Sequence, residues 1–353
     1  MTLAEVWFAL VAVLWGGYFV LEGFDFGVGM LLPFLPHSES ERSAMLRSIG
    51  PVWDGNEVWL VTAGGATFAA FPAWYATMFS GFYLALLLVL VCLIVRVLSF
   101  EWRSKAQSPG WRRFWLYANA AGSLGASLVW GVGLAALLYG IPVDSNGNAT
   151  GTLADLFSPY TVLAGLSIVL LFTYHGATYL TIRTLGGLCD RAAAVSRRLA
   201  IAAILAGSGF LAWTVSVAVD RNDKSATGPL VPAILGIAAL VISGVAAYRR
   251  RSGIAFTLTA AATALWVATL FTSLYPRVLV STTSFAYSLT VSNASSAHYT
   301  LAVMSVVAAI CLPLILLYQG WTYHVFRARV GGEEIEPVDA PEPLADGDGA
   351  PAT

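Results

Sequence analysis

Nine apolar segments follow one another along 353 residues, near 5–32, 51–71, 76–98, 113–139, 159–183, 197–219, 229–248, 253–275 and 298–325. About 20 helical residues cross the roughly 30 Å of bilayer hydrocarbon, and only helices or closed barrels satisfy every backbone polar group there. The pattern predicts an all-α polytopic membrane protein with nine transmembrane helices. Composition agrees: charged residues make up 11% of the chain, against about 25% in soluble domains. The first five residues contain no base, so no cleavable signal is expected and the first segment should remain as a span.

The basic residues set the orientation. Arg42 and Arg47, the group Arg96 to Arg113, the group Arg183 to Arg198, Arg249 to Arg251, and Arg327 and Arg329 hold 16 of the 19 bases and fall on one side of a nine-span chain. Only Arg221, Lys224 and Arg277 fall on the other. Short cytoplasmic loops carry the Lys and Arg excess, so the N-terminus should lie outside and the C-terminus in the cytoplasm. The net charge of −1 says little about partners because the signs are segregated, and no nucleic-acid partner is expected.

Within this apolar frame, four acids stand out. Glu22 and Asp25 lie in the first segment, Asp54 and Glu57 in the second, and each pair is three residues apart. That spacing puts both members on one helical face, so two faces can converge on one polar patch. A carboxylate at the centre of a span costs roughly 2.5–3.5 kcal/mol on insertion scales and is kept where a partner or a function offsets it. Asp25 lies about 12 Å from the end of its helix at Pro33, and Asp54 within a turn of the start of the next, at 1.5 Å per residue. All four acids should therefore occupy the cytoplasmic half, which suits a route for protons. Glycines 23, 27 and 29 would let another helix come close.

Other features read more plainly. Arg96 is expected to snorkel from a helix end, Trp74 and Tyr75 to anchor at the interface, and Gly64-Gly65 to serve packing. His175 is expected to be hydrogen-bonded within a bundle, although a haem-ligand or proton-carrier role stays open. Cys92, Cys189 and Cys311 show neither disulfide nor metal spacing and read as small buried hydrophobes. The loop at 276–297 should be ordered by packing. From residue 329 the chain reads as a disordered, acidic cytoplasmic tail.

The motifs Glu22-Gly-Phe-Asp25-Phe-Gly-Val-Gly29, Gly50-Pro-Val-Trp53-Asp54-Gly-Asn-Glu57-Val-Trp59 and Phe79-Ser-Gly-Phe-Tyr83, with Gly176-Ala-Thr-Tyr179 and Pro313-Leu-Ile-Leu-Leu-Tyr318, resemble subunit II of the cytochrome bd quinol oxidases. The resemblance spans about residues 1–328. It implies two four-helix bundles, about 1–139 and 159–275, and a peripheral ninth helix near 298–325, in a bacterial cytoplasmic membrane. It also implies a pseudo-symmetric pairing with, and stabilisation of, a larger subunit I. That partner carries two b-type haems, one d-type haem and the site for ubiquinol or menaquinol, and no cofactor is expected on this chain beyond the structural quinone that some members hold. Small accessory subunits and lipids complete such complexes. By the same resemblance Asp54, with Trp53 beside it, lines a cytoplasmic proton route to the site of oxygen reduction, and Asp25 matches a helix 1 aspartate. Glu57 and His175 stand where some relatives have Gln.

Two other readings fit the acids. A proton- or ion-coupled secondary transporter would use buried carboxylates in two matching repeats, but the second half lacks a copy of the motif. A purely structural partner would use them to satisfy arginines such as Arg96.

Overall fold

The computed structural model describes residues 1–106 and 108–331, and these are helical almost throughout. Helix α1 (Leu3–Leu31) opens on a capping box: Thr2 Oγ1 accepts from the Glu5 N–H at 3.3 Å, and Glu5 accepts from the Thr2 N–H at 2.7 Å. Both otherwise orphaned donors are thereby satisfied. Then come α2 (Glu39–Ile49), α3 (Trp53–Ala70), α4 (Pro72–Gly81), α5 (Tyr83–Trp102) and α6 (Pro109–Tyr139). The second half holds α7 (Pro159–Arg183), α8 (Gly186–Asn222), α9 (Thr227–Tyr248), α10 (Ser252–Leu274), the strands β1 (Arg277–Leu279) and β2 (Leu289–Thr290), α11 (Val291–Ala294) and α12 (His298–Val325). Proline opens α4, α6 and α7, where its missing N–H would be unpaired anyway.

Among the described residues eight helices are long and apolar enough to cross a membrane, namely α1, α5 to α10 and α12. The remaining segment of the nine, 51–71, is helical as α3 but does not reach that apolarity, because it begins Trp-Asp-Gly-Asn-Glu. The segment expected at 76–98 is broken: α4 ends at Gly81 and α5 starts at Tyr83.

Helix α1 is the central post, with Val11, Tyr18, Phe19, Phe26 and Val28 fully buried. It packs against α3 and α6 on one side and α7 and α10 on the other, while α5 packs on α6 and the pairs α7–α8, α8–α9 and α9–α10 close a second group. Glycines permit the closest approaches. A Cβ on Gly27 would strike the Phe172 carbonyl oxygen and the Gly176 backbone, and one on Gly131 would meet the Gly165 Cα at 2.7 Å. Only one residue of α12, Leu301, is buried.

At the basic end, the connection after α1 folds into the amphipathic helix α2, and α8 starts eleven residues before the expected span. Ala44, Met45 and Ile49 of α2 bury against Leu31, Leu35, Leu180 and Leu188. Polar ties fix α2: Arg103 pairs with Glu39, and Arg191 reaches Glu41 at 2.6 Å and the Leu35 carbonyl at 3.0 Å. Burial pushes the Glu41 carboxyl up, but hydrogen bonds from Arg191 and the His37 N–H outweigh it and hold the group below its ordinary value. A depressed carboxyl contributes stability that is present at neutral pH and lost as pH falls through the folded value. Acidification below the usual glutamate value of about 4.3 should therefore loosen α2, seen as faster amide exchange after correction for the intrinsic rate. Protection of α2 that stays constant across that range, or a Glu41→Gln variant with the same pH response, would contradict this.

At the opposite end, the 276–297 loop is ordered as expected. β1 and β2 pair antiparallel, Val280 bonds to Leu137 and Ile141, and the Ser296 N–H reaches the Ala70 carbonyl at 2.8 Å. Three local expectations are corrected. Trp74 is 1% exposed and packs on Phe8, Phe71 and Phe271, because the 71–72 corner turns it inward. Gly64 and Gly65 meet nothing within 4 Å and border an open groove between α3 and α5. Cys311 is exposed, since α12 is peripheral. The acidic tail falls, from residue 332 on, outside the described residues. Just before it, the Val330 N–H bonds the Arg183 carbonyl at 2.7 Å.

Candidate functional site

Arg96 departs most from expectation. It does not snorkel: the residue is fully buried in α5, and its guanidinium pairs with Glu22 and lies 3.4 Å from Glu57. Phe26 and Phe100 cover it, with ring centroids 4.8 and 5.5 Å from Cζ. The physical reason is cost. A charge in hydrocarbon is tolerated when it faces a bundle interior and is paired, and the carboxylates of α1 and α3 supply that pair. Beneath, Asn119 of α6 donates to the Ser99 hydroxyl at 2.6 Å and to the Arg96 carbonyl at 3.4 Å.

Three of the four predicted acids come together. Glu22 and Asp25 are fully buried, and Glu57 keeps 20% of its side chain exposed. Asp54 does not join them. It is exposed at the head of α3 and borders a cavity of about 520 Å³ between α3 and α12. Helix geometry explains the split: three residues advance 300°, so Asp54 sits about 60° from Glu57 around the axis, which is enough to leave the interface. Trp53 is half-buried against Phe100, with ring centroids 5.5 Å apart.

The sequence reading missed Asn56, Gln319 and Tyr323. Asn56 is fully buried and donates to Asp25 Oδ2 at 2.7 Å and to the Leu21 carbonyl at 3.3 Å. Its Oδ1 accepts from the Tyr323 hydroxyl at 2.7 Å and from Gln319 at 3.3 Å, and Trp59 donates to Gln319 at 2.7 Å. A signal was available, since Gln319 and Tyr323 are four apart and so share one face of an otherwise apolar span.

One guanidinium neutralises one carboxylate. Glu22, Asp25 and Glu57 around a single Arg96 are charge-balanced only when two of them carry protons, and an unpaired buried charge costs several kcal/mol. The bundle thus holds two fully buried carboxyl groups and one mostly buried one beside one buried guanidinium. Arg96 Nε and Nη2, Asp25 Oδ1 and Glu57 Oε1 have no hydrogen-bond partner within the described chain.

His175 is fully buried and offers no free nitrogen to a haem iron: Nε2 meets the Val20 carbonyl at 3.1 Å and Nδ1 the Thr259 hydroxyl at 2.6 Å. Since a carbonyl only accepts, the neutral ring carries its proton on Nε2. It also stacks on Phe256 at 4.8 Å. Among the described residues no three His, Cys, Asp or Glu are grouped to hold a metal.

Fold and site together define a polytopic helical membrane protein built around a buried arginine–carboxylate cluster near one end of its bundle. The family model for cytochrome bd terminal oxidase subunit II matches residues 3–326, and the chain belongs to that family. Cytochrome bd ubiquinol oxidase subunit 2 of Bacillus subtilis (strain 168) is 42% identical over 336 residues, 94% of this chain and 98% of that one. Cytochrome bd-I ubiquinol oxidase subunit 2 of Escherichia coli (strain K12) is 36% identical over 364 residues, 94% and 96% of the two chains. A chain in the structure of bd oxidase from Geobacillus thermodenitrificans shares the fold, with a TM-score of 0.70 at 20% identity over 92% of this chain and 99% of that one.

Proposed function

We propose that the chain is the non-haem subunit of a quinol:oxygen oxidoreductase in a bacterial cytoplasmic membrane, with its N-terminus outside. In this reading it pairs with and stabilises a larger haem-bearing subunit I, and its acids carry protons from the cytoplasm toward the place where oxygen is reduced to water. Its membership of the family and the names of its relatives support the enzyme class. The two b-type haems and the d-type haem of the partner would supply electron transfer from quinol and oxygen binding. This chain's part is proton supply, because reducing oxygen to water consumes one proton for each electron.

The observation that carries the reading is the buried cluster itself. Asp54 is the exposed collecting group, Glu57 lies about 4.5 Å further along α3 at 1.5 Å per residue, and Glu57 and Glu22 share Arg96. A proton arriving at Glu57 can be balanced by one leaving Glu22 without adding net charge to the bundle. Asp25 extends the cluster toward α12 through Asn56.

Asp54→Asn keeps the shape and removes the exchangeable proton. In the purified complex it should lower oxygen consumption about tenfold or more, toward the range of lost proton-transfer groups, at unchanged haem content. Full turnover at equal haem content would favour a second reading, in which the acids serve only to satisfy Arg96, as the ion pairs allow. The transporter reading gains no support, because α7 carries no acid and the two of α8, Asp190 and Asp220, are exposed near its ends, so the second half holds no copy of the motif.

A further inference from the structure

Asn56 is committed at every position. An amide offers two N–H donors and an oxygen with two lone pairs; here the donors serve Asp25 Oδ2 and the Leu21 carbonyl, and the oxygen takes the Tyr323 hydroxyl and the Gln319 amide. Its orientation is therefore fixed from α12. Turning the amide over would set two acceptors against each other at Asp25 and aim an NH2 at the Gln319 amide donor, with the Tyr323 hydroxyl alone able to accept from it. Helix α12 is otherwise lightly attached: among the described residues Leu301 is its one buried residue, and its other side-chain hydrogen bonds to the bundle run from Trp59 Nε1 of α3 to Gln319 at 2.7 Å and from Trp7 Nε1 of α1 to the Leu301 carbonyl at 3.2 Å and the Ser305 hydroxyl at 3.0 Å. Its Gln319 and Tyr323 also line the cavity onto which Asp54 opens, so Asn56 stands between that cavity and Asp25. On the far side Asp25 Oδ1, fully buried, has no hydrogen-bond partner within the described chain.

We propose that Asn56 is a positioning residue of the proton route, locked in one orientation by Tyr323 and Gln319 so that Asp25 presents a single open oxygen, Oδ1, to a proton. The amide itself carries none, because it has no proton to exchange near neutral pH. Its role is to hold one carboxylate oxygen and leave the other open. This rests on the proton-route reading for its meaning, but its geometry can be tested separately.

The test uses the whole complex with Tyr323→Phe and Gln319→Leu, both on the peripheral helix and both sparing the ion pairs, and with Asp25→Asn as reference. Infrared bands lost in Asp25→Asn belong to the Asp25 carboxyl. The expected result is that Tyr323→Phe and Gln319→Leu each shift those bands. Each should also lower kcat for oxygen consumption by about threefold or more, the scale of one lost hydrogen bond in a bilayer bundle, with KM for quinol unchanged. A variant that merely loosened α12 would leave the bands in place. Parent-like bands and parent-like kcat in both variants overturn the inference while leaving the proton route standing. Shifted bands, with Asp25→Asn itself turning over at the parent rate, would uphold the positioning and sink the route through Asp25.

Discussion

An Arg96→Met variant should accumulate little assembled complex. The substitution nearly conserves volume but leaves the buried Glu22 and the mostly buried Glu57 without the one ion-pair partner they have among the described residues. Removing one partner of a buried pair typically costs 3–5 kcal/mol, a large part of the roughly 5–15 kcal/mol that holds most folded proteins together. Membranes from cells expressing the variant should show several-fold less haem-bearing complex, and what is recovered should unfold at a lower temperature. Adding Glu22→Gln to Arg96→Met should restore part of the yield by removing one stranded charge. Parent-level yield from the single variant would mean that Arg96 is not the counter-ion the carboxylates depend on.

Gly176→Val should be nearly as damaging for a different reason. Where α1 crosses α7, a Cβ on Gly176 would lie 2.5 Å from Gly27 C and Val28 N, and these are backbone atoms that cannot step aside. The helices would have to separate beside His175, whose bond to the Val20 carbonyl spans the same crossing. Overpacking usually costs about 1–3 kcal/mol, occasionally more, and backbone against backbone belongs at the upper end. Thermal unfolding of the complex should fall by several degrees. Gly209→Ala on α8, where nothing lies within 4 Å, should be neutral or slightly stabilising, since alanine gains up to about 1 kcal/mol of helix propensity. Equal midpoints for the two variants would show that the α1–α7 contact is looser than described.

Much of this was legible in the chain. The apolar segments follow from hydrocarbon thickness, and the quoted motifs pointed to the family. Glycines 23, 27 and 29 marked the close face of α1: Gly23 meets Phe172, Gly27 meets Gly176, and Gly29 meets Ser123 and Asn119. The hydrogen-bonded reading of His175 held as well. Helix α2 was missed because a short amphipathic helix with a mixed-charge face resembles a polar loop when only long apolar runs are counted.

What the sequence determined by itself was which stretches enter the hydrocarbon and that their acids needed a reason to be there, because both follow from the local cost of transfer from water. Which groups meet was decided only by tertiary structure. Arg96 was drawn inward instead of snorkelling because α1 and α3 present carboxylates to it, and Asp54 was left outside because 60° of helix rotation carries it past the interface. Asn56 gained its place from residues more than 260 positions away on α12. Ion pairs and hydrogen bonds across a bundle depend on rotation and distance between helices, and neither is written in the periodicity of any one of them.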